Sequence, residues 1–369
     1  MYRLIIRQWP LPIAVKKQTL LDAALAAGVP YPHGCRTGEC GSCKTRLLSG
    51  DVSMTDYDRL VLSQSERAEG LILVCRARPR SDVHIAWLGM DEDESLPTQR
   101  MTGQVTNVEV LTPDIRRIYV WPERPLQFAA GQYARLGFGT LPLRSYSMAN
   151  RPDEEVLEFH IRLVPSGVAS RYVADHLKPG ERIRLEGPAG SAHLRPDHDG
   201  PIVAVAGGTG LAPILSIVRT RLKTGSTQPI WLYVGARTSR DTYDETTLGE
   251  LTTRYPNLKV NIALSSGEPS SSYRIGLLHE VVARDISFIP EAKCYLAGPS
   301  AMVESARRKL LEAGFSETDI HADPFYGCAD AAPQKSICAW VRSLFLQVGR
   351  TRWVKSLWDC RNFGSSALI

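Results

Sequence analysis

Four cysteines carry the most specific chemistry in the chain. Cys35, Cys40 and Cys43 stand in 35-CRTGECGSC-43 and Cys75 follows far downstream, giving C-x4-C-x2-C…C. This is the spacing with which thiolates hold a two-iron, two-sulfur (2Fe-2S) cluster. Three thiols so close together must wrap one small object, and the interspersed glycines Gly34, Gly38 and Gly41 permit turns that aim backbone amides at the sulfurs. A structural zinc is the competing reading, but zinc sites more usually pair two short C-x2-4-C knuckles, whereas here the fourth cysteine stands alone. Cys294, Cys328, Cys338 and Cys360 share no ligand-like spacing and read as buried or incidental thiols.

A second constellation points to a nucleotide. The apolar run 202-IVAVA-206 leads into 207-GGTGLAP-213 and then an amphipathic helix. Gly207, Gly208, Thr209 and Gly210 let the backbone approach a cofactor, and the helix start favours a diphosphate. Pro213 occupies the third glycine position of the dinucleotide fingerprint, so taken alone the turn is a weak signal. Upstream lie 131-GQYARL-136, 144-RSYSMAN-150 and 160-HIRLVPSGVAS-170. An ordinary helix cap at Ser166 or Ser170 would explain the last of these on local grounds.

Taken together and in this order, these segments resemble the flavoprotein reductases of the ferredoxin-NADP reductase superfamily. The type is the single-chain one, with an N-terminal plant-type ferredoxin, that supplies electrons to aromatic-ring-hydroxylating oxygenases. The resemblance runs from residue 1 to about 326. It implies FAD held by Arg144, Ser145, Tyr146 and Ser147: Arg144 on the pyrophosphate, Tyr146 packed on the isoalloxazine, and the Ser147 hydroxyl near N5. Tyr146 and Ser147 are thus the expected catalytic residues. Guanidinium, aromatic face and hydroxyl suit those tasks. The resemblance also places Gly167, Val168 and Ser170 at the FAD pyrophosphate, and His160 and Arg162 along the adenylate half.

For the pyridine nucleotide, the resemblance adds 297-AGPSAM-302, a second turn comprising Gly298, Pro299 and Met302. Ala297 replaces the cysteine common there. Cys294 is three residues away on a strand and should face the other side, so thiol assistance is not expected. The ribose pocket should be built by 235-GARTSRD-241, in which Arg237 and Arg240 could grip a 2′-phosphate while Asp241 suits free hydroxyls. NADH is expected, because the family mostly uses it, with NADPH possible. The segment 323-DPFY-326 looks like the family's ending, which puts Phe325 against the flavin.

The implied function is stepwise electron transfer from NADH through FAD and the 2Fe-2S cluster to a terminal oxygenase or its small ferredoxin. A reductase of similar layout feeding a di-iron monooxygenase or a deoxysugar dehydratase is the alternative. An electron carrier with a vestigial nucleotide domain is a rival of another class. A hydrolase is disfavoured by the lack of G-x-S-x-G or a metal-binding His pair.

The elements that must position these groups follow from patterning. The chain has 369 residues, with 43% hydrophobic and 22% charged, a composition of folded domains. Its net charge of +5 gives no polyanion-binding balance, so no nucleic-acid partner is expected. No apolar run approaches the roughly 18 residues of a membrane span, and the N-terminus lacks an export-signal pattern, which suggests a reducing cytoplasm. Residues 1–90 hold an alternating run at Tyr2 to Arg7 and a helical stretch at Thr19 to Ala27, expected as an α+β ferredoxin (β-grasp) domain. The acidic segment 91-DEDESLPTQ-99 reads as a linker.

Residues 98–198 carry short alternating runs between Gly and Pro turns, expected as a Greek-key β-barrel FAD domain. Residues 199–326 alternate strand and helix, expected as an α/β parallel-sheet NAD domain in which a helix spans Tyr243 to Arg254. Residues 327–369 form a tail with three Trp and six Lys+Arg. Apolar spacing at 337-ICAWVRSLFLQV-348 could dock on a surface, and a functionless extension explains it equally well.

Overall fold

The computed structural model describes residues 1–325 except 39–40, 58–60, 89–95, 166 and 268–272. Cys40, Ser166, the acidic part of the linker, Tyr326 and the tail therefore lie outside the described residues.

The N-terminal sheet runs Ile13–Val15, Tyr2–Ile6, Val83–Trp87, Lys44–Ser49, Leu71–Leu73. Its first strand pairs parallel with Val83–Trp87 and the other pairings are antiparallel, the mixed arrangement of a β-grasp. The helix Leu20–Ala26 is capped by Thr19, whose Oγ1 accepts the Asp22 amide at 3.1 Å. It buries Leu20, Leu21, Ala23 and Ala24 against Leu4, Ile6, Leu73 and Ile85. The cysteine loop connects this helix to strand Lys44–Ser49.

The middle sheet has six antiparallel strands in the order Arg144–Ser147, Tyr133–Phe138, Arg182–Ala189, Gln99–Thr112, Ile115–Pro122, Leu157–Arg162. A bridge between Met148 and Phe159 joins the first strand to the last, nearly closing a barrel. Val105, Ile118, Val120, Leu136, Phe138, Phe159 and Leu185 fill it, and the helix Val168–Asp175 covers one end with Ala169 and Val173. The tetrapeptide Arg144–Ser147, read from sequence as a binding segment, is also the seam strand.

The third sheet is wholly parallel, in the order Arg274–Ile275, Leu258–Leu264, Ile230–Ala236, Ile202–Gly207, Lys293–Pro299, Ile320–Phe325. The chain starts at Ile202–Gly207, winds outward one way, then returns to fill the other side. The cleft outside the carboxyl ends of Ile202–Gly207 and Lys293–Pro299 is thus a topological switch point, where such sheets bind ligands. Periodicity located helix Leu211–Lys223 at its observed bounds. The expected helix from Tyr243 begins instead at Glu245: Asp244 has left-handed backbone (φ 61°), its carboxylate pairs with Arg117, and the Tyr243 ring is buried.

Candidate functional site

The strand Tyr133–Phe138 aligns the tetrapeptide, with Tyr133 opposite Ser147, Ala134 opposite Tyr146 and Leu136 opposite Arg144. Alternation then separates the side chains. Ser147 is buried, Tyr146 half-buried, and Arg144 and Ser145 exposed. The Tyr146 ring lies 6.4 Å from Phe138, and burial pushes its phenol up to about 12. Arg144 donates to the Leu143 carbonyl at 3.1 Å with its head toward solvent.

Ser147 Oγ donates to Asp323 Oδ2 at 3.5 Å. Asp323 is a residue that sequence reasoning quoted but gave no role. It stands on the last parallel strand opposite Ala297, with Pro324 opposite Gly298 and the half-buried Phe325 opposite Pro299. Burial lifts its carboxyl to about 7, against the smaller pull of the Ser147 bond. A protonatable group therefore meets the seam strand beside the second nucleotide turn.

At that switch point the glycines answer to close packing. A Cβ on Gly210 would lie 2.1 Å from the Ala297 carbonyl oxygen, so the first nucleotide turn can seat against the neighbouring strand only with glycine there. Gly207 and Gly298 lie side by side beneath Met302, while Thr209 lies in the single 3-10 turn between strand and helix and Pro213 in the helix's first turn, where no amide is needed. Arg162 lies over Gly208 and donates to Asp114 Oδ2 at 3.0 Å.

His160 is buried between two domains. Its Nδ1 is 3.1 Å from Tyr243 Oη and its Nε2 3.0 Å from Glu158, while Tyr243 Oη donates to the Gly208 carbonyl at 3.2 Å. Arg117 pairs with Asp244 and, at 2.9 Å, with Glu158. Gly167 caps the helix Val168–Asp175, and Ser170 Oγ accepts the Val164 amide and donates to the Gly167 carbonyl. The Ser170 hydroxyl is thus engaged inside the turn, and what the turn offers a ligand is the amides of its first residues.

In the ribose segment, burial opposes ionisation of Asp241, but hydrogen bonds from Thr238 win and hold its carboxyl below the usual range. Asp241 Oδ2 accepts the Thr238 amide at 2.9 Å, and its Oδ1 lies 3.3 Å from Arg237, which also reaches Asp114. Arg240 is exposed.

The thiols of Cys43 and Cys75 are buried with their sulfurs 3.2 Å apart, and the Thr37 amide donates to Cys35 Sγ at 3.4 Å. The bond with Cys75 draws the Cys43 thiol below its ordinary value. Two buried thiols brought together, one of them drawn below its ordinary value, with an amide aimed at the sulfur of Cys35, fit an iron-sulfur cluster. Cys294 faces the opposite side from Ala297, in a separate core, and burial pushes its thiol up to about 12. It is an inert core thiol.

A nearly closed barrel whose seam strand meets a switch-point cleft, with a thiol loop on a β-grasp in the same chain, defines a flavin-dependent iron-sulfur reductase. Residues 10–80 match the 2Fe-2S iron-sulfur cluster binding domain, 102–194 the oxidoreductase FAD-binding domain and 204–308 the oxidoreductase NAD-binding domain. The ferredoxin–NAD(P)(+) reductase component of the naphthalene 1,2-dioxygenase/salicylate 5-hydroxylase systems of Ralstonia sp. is 39% identical, over 84% of this chain and 93% of its own length. The corresponding component of the naphthalene 1,2-dioxygenase system of Pseudomonas putida is 38% identical, over 83% and 93%. Among solved structures, the cytochrome P450 reductase GcoB of Amycolatopsis superposes with a TM-score of 0.77 at 35% identity, covering 88% of this chain and 99% of that one.

The chain therefore belongs to the family of ferredoxin–NAD(P)+ reductase components of oxygenase systems, with 2Fe-2S, FAD and NAD-binding domains. It is an oxidoreductase, and among the described residues no helix is long and apolar enough to cross a membrane.

Proposed function

We propose that the chain draws electrons from NADH and delivers them singly to the oxygenase, or small ferredoxin, of an aromatic-ring-hydroxylating system. The flavin, when bound, supplies the conversion of a two-electron donor into one-electron steps. The observation that carries the reading is the meeting of Ser147 with Asp323 beside Gly298, which joins the flavin strand to the nicotinamide turn at one point.

In this reading Arg144 would hold the flavin pyrophosphate with the Gly167, Val168 and Ser170 turn, Tyr146 and Phe325 would border the ring, and the Ser147 hydroxyl would approach N5. His160 and Arg162 support the adenylate side. Gly207 to Pro213, with Gly298, Pro299 and Met302, seat the nucleotide. Cys35, Cys40, Cys43 and Cys75 ligate the cluster.

The same reading takes the functional boundaries as 1–90, 98–198 and 199–326, with residues 327–369 dispensable and the protein in the cytoplasm, where thiolate ligands stay reduced. NADH is favoured over NADPH because Arg237 already faces the carboxylates of Asp114 and Asp241, and Asp241 would repel a 2′-phosphate.

Stopped-flow spectra test this. NADH should bleach the flavin first and the cluster second, and Cys75→Ser should keep the first phase and lose the second. Cluster reduction that persists in protein stripped of FAD would overturn the proposal.

A further inference from the structure

The residue after the first cluster cysteine occupies a backbone position that suits glycine, yet it is not glycine. Arg36 stands at φ 64°, a region non-glycine residues seldom enter. Loop shape alone would be better served by glycine, so the side chain must supply the reason. That side chain leaves its own domain. Its Nη1 lies 3.0 Å from Glu186 Oε1 on the barrel strand Arg182–Ala189, while Nη2 lies 2.7 Å from Asp22 Oδ1 on the helix Leu20–Ala26.

Glu186 is largely buried, at 10% side-chain exposure, and also takes Arg135 at 3.3 Å and Arg100 at 3.4 Å. Arg135 is opposite Glu186 on one side of its strand and opposite Ser145 on the other. A single guanidinium thus connects the cluster loop to the strand Arg182–Ala189, one strand removed from the seam strand, with Arg135 on the strand between them. Around this contact the ferredoxin domain and the rest are parted by a cleft of about 1710 Å³, lined by Tyr31, His33, Arg36, Glu186, His193 and Arg195 among others.

We propose that Arg36 and Glu186 are positioning residues that fix the cluster loop to the flavin barrel and so set the rate at which electrons cross between them. The inference rests on the reading above that the tetrapeptide holds the flavin and the cysteines the cluster. The two carboxylates take separate nitrogens of one rigid fork, a geometry that the compact ammonium of lysine does not reproduce.

Arg36→Gly removes the side chain at a position whose backbone glycine accepts, and Glu186→Gln removes the partner's charge without touching the ferredoxin domain. In full-length protein loaded with both cofactors, each should leave the NADH-to-flavin phase unchanged and slow the flavin-to-cluster phase roughly tenfold or more, since small misplacements have effects of this size. The double variant should be no slower than the singles, as expected for one shared interaction. Hydrogen–deuterium exchange should rise in both peptides containing residues 33–38 and 183–189, in either single variant.

An unchanged flavin-to-cluster phase, or losses that add in the double variant, would overturn the proposal. Either variant suffices if the other fails to retain its cofactors. Failure of NADH to reduce the flavin in the parent protein would instead sink the functional reading, so the two outcomes are distinguishable.

Discussion

The barrel meets its two neighbours in different ways. Toward the nucleotide domain it shares a core: Ile115 and Ala130 pack in one cluster with Leu211, Ile214 and Ile217, and a Cβ on Gly131 would lie 2.9 Å from Ile217 Cδ1. Polar contacts reinforce that junction. Ser216 donates to the Asn150 carbonyl at 2.7 Å, Arg219 pairs with Glu154 at 3.0 Å, and Tyr243, His160, Arg117 and Asp244 interlock beneath. Toward the ferredoxin domain, whose core of Leu4, Ile6, Leu20, Leu73 and Ile85 is complete within itself, the barrel presents a cleft crossed by the Arg36–Glu186 pair.

The contrast follows the two chemistries. Hydride transfer needs reacting atoms about 3–3.5 Å apart, a contact that a shared core can hold, whereas electron transfer needs no such contact, only a fixed separation that one ion pair can set.

The tight junction should be costly to break. Arg117→Ala strands Asp244, whose side chain is 6% exposed, while Glu158 keeps Arg219 and His160, and should cost about 3 kcal/mol in urea unfolding because a buried charge loses its partner. A loss below about 1 kcal/mol would erase the claimed asymmetry between the junctions.

The same junction should be the pH-sensitive one. Because burial lifts Asp323 to about 7, the folded chain keeps a proton that the unfolded chain releases near the ordinary carboxylate value. Its contribution to stability is full below about pH 4 and is lost as pH rises through 7, a change of up to roughly 4 kcal/mol in flavin-free protein. Asp323→Asn should flatten that slope; parallel stability curves for parent and variant would refute the assignment.

Tyr243→Phe removes the hydroxyl that supports the Gly208 carbonyl and should weaken kcat/KM for NADH about fivefold, corresponding to about 1 kcal/mol. Flavin-to-cluster kinetics should not change, and a shift there would mean the two junctions communicate. The smallest effect is expected from Arg36→Gly on stability, within about 1 kcal/mol, since Glu186 keeps Arg135 and Arg100 and no buried charge is orphaned. A calorimetric loss as large as that of Arg117→Ala would place the ferredoxin joint in the same class as the other.

What could be read without coordinates was local. Cysteine spacing marked the cluster loop, alternation marked the barrel strands, and the strand, glycine turn and helix at 202–223 stand as periodicity placed them. The contacts that join domains left no such trace. Ser147 and Asp323 are 176 residues apart, Arg36 and Glu186 150, His160 and Tyr243 83, and no short-range pattern encodes a pairing over such distances. Tyr243 illustrates the failure: apolar spacing drew it into the following helix, whereas the pairing of Asp244 with Arg117 holds that helix back to Glu245.

The bridge between Met148 and Phe159 has a practical meaning. The barrel is laced shut just beyond the tetrapeptide proposed above to hold the coenzyme, and the exposed turn at Gly139 and Thr140 lies at the other end of that strand. A coenzyme seated on the tetrapeptide would hold that strand against its neighbours. Preparations short of coenzyme should therefore be clipped by proteases near that turn, and topping up FAD before storage should protect them.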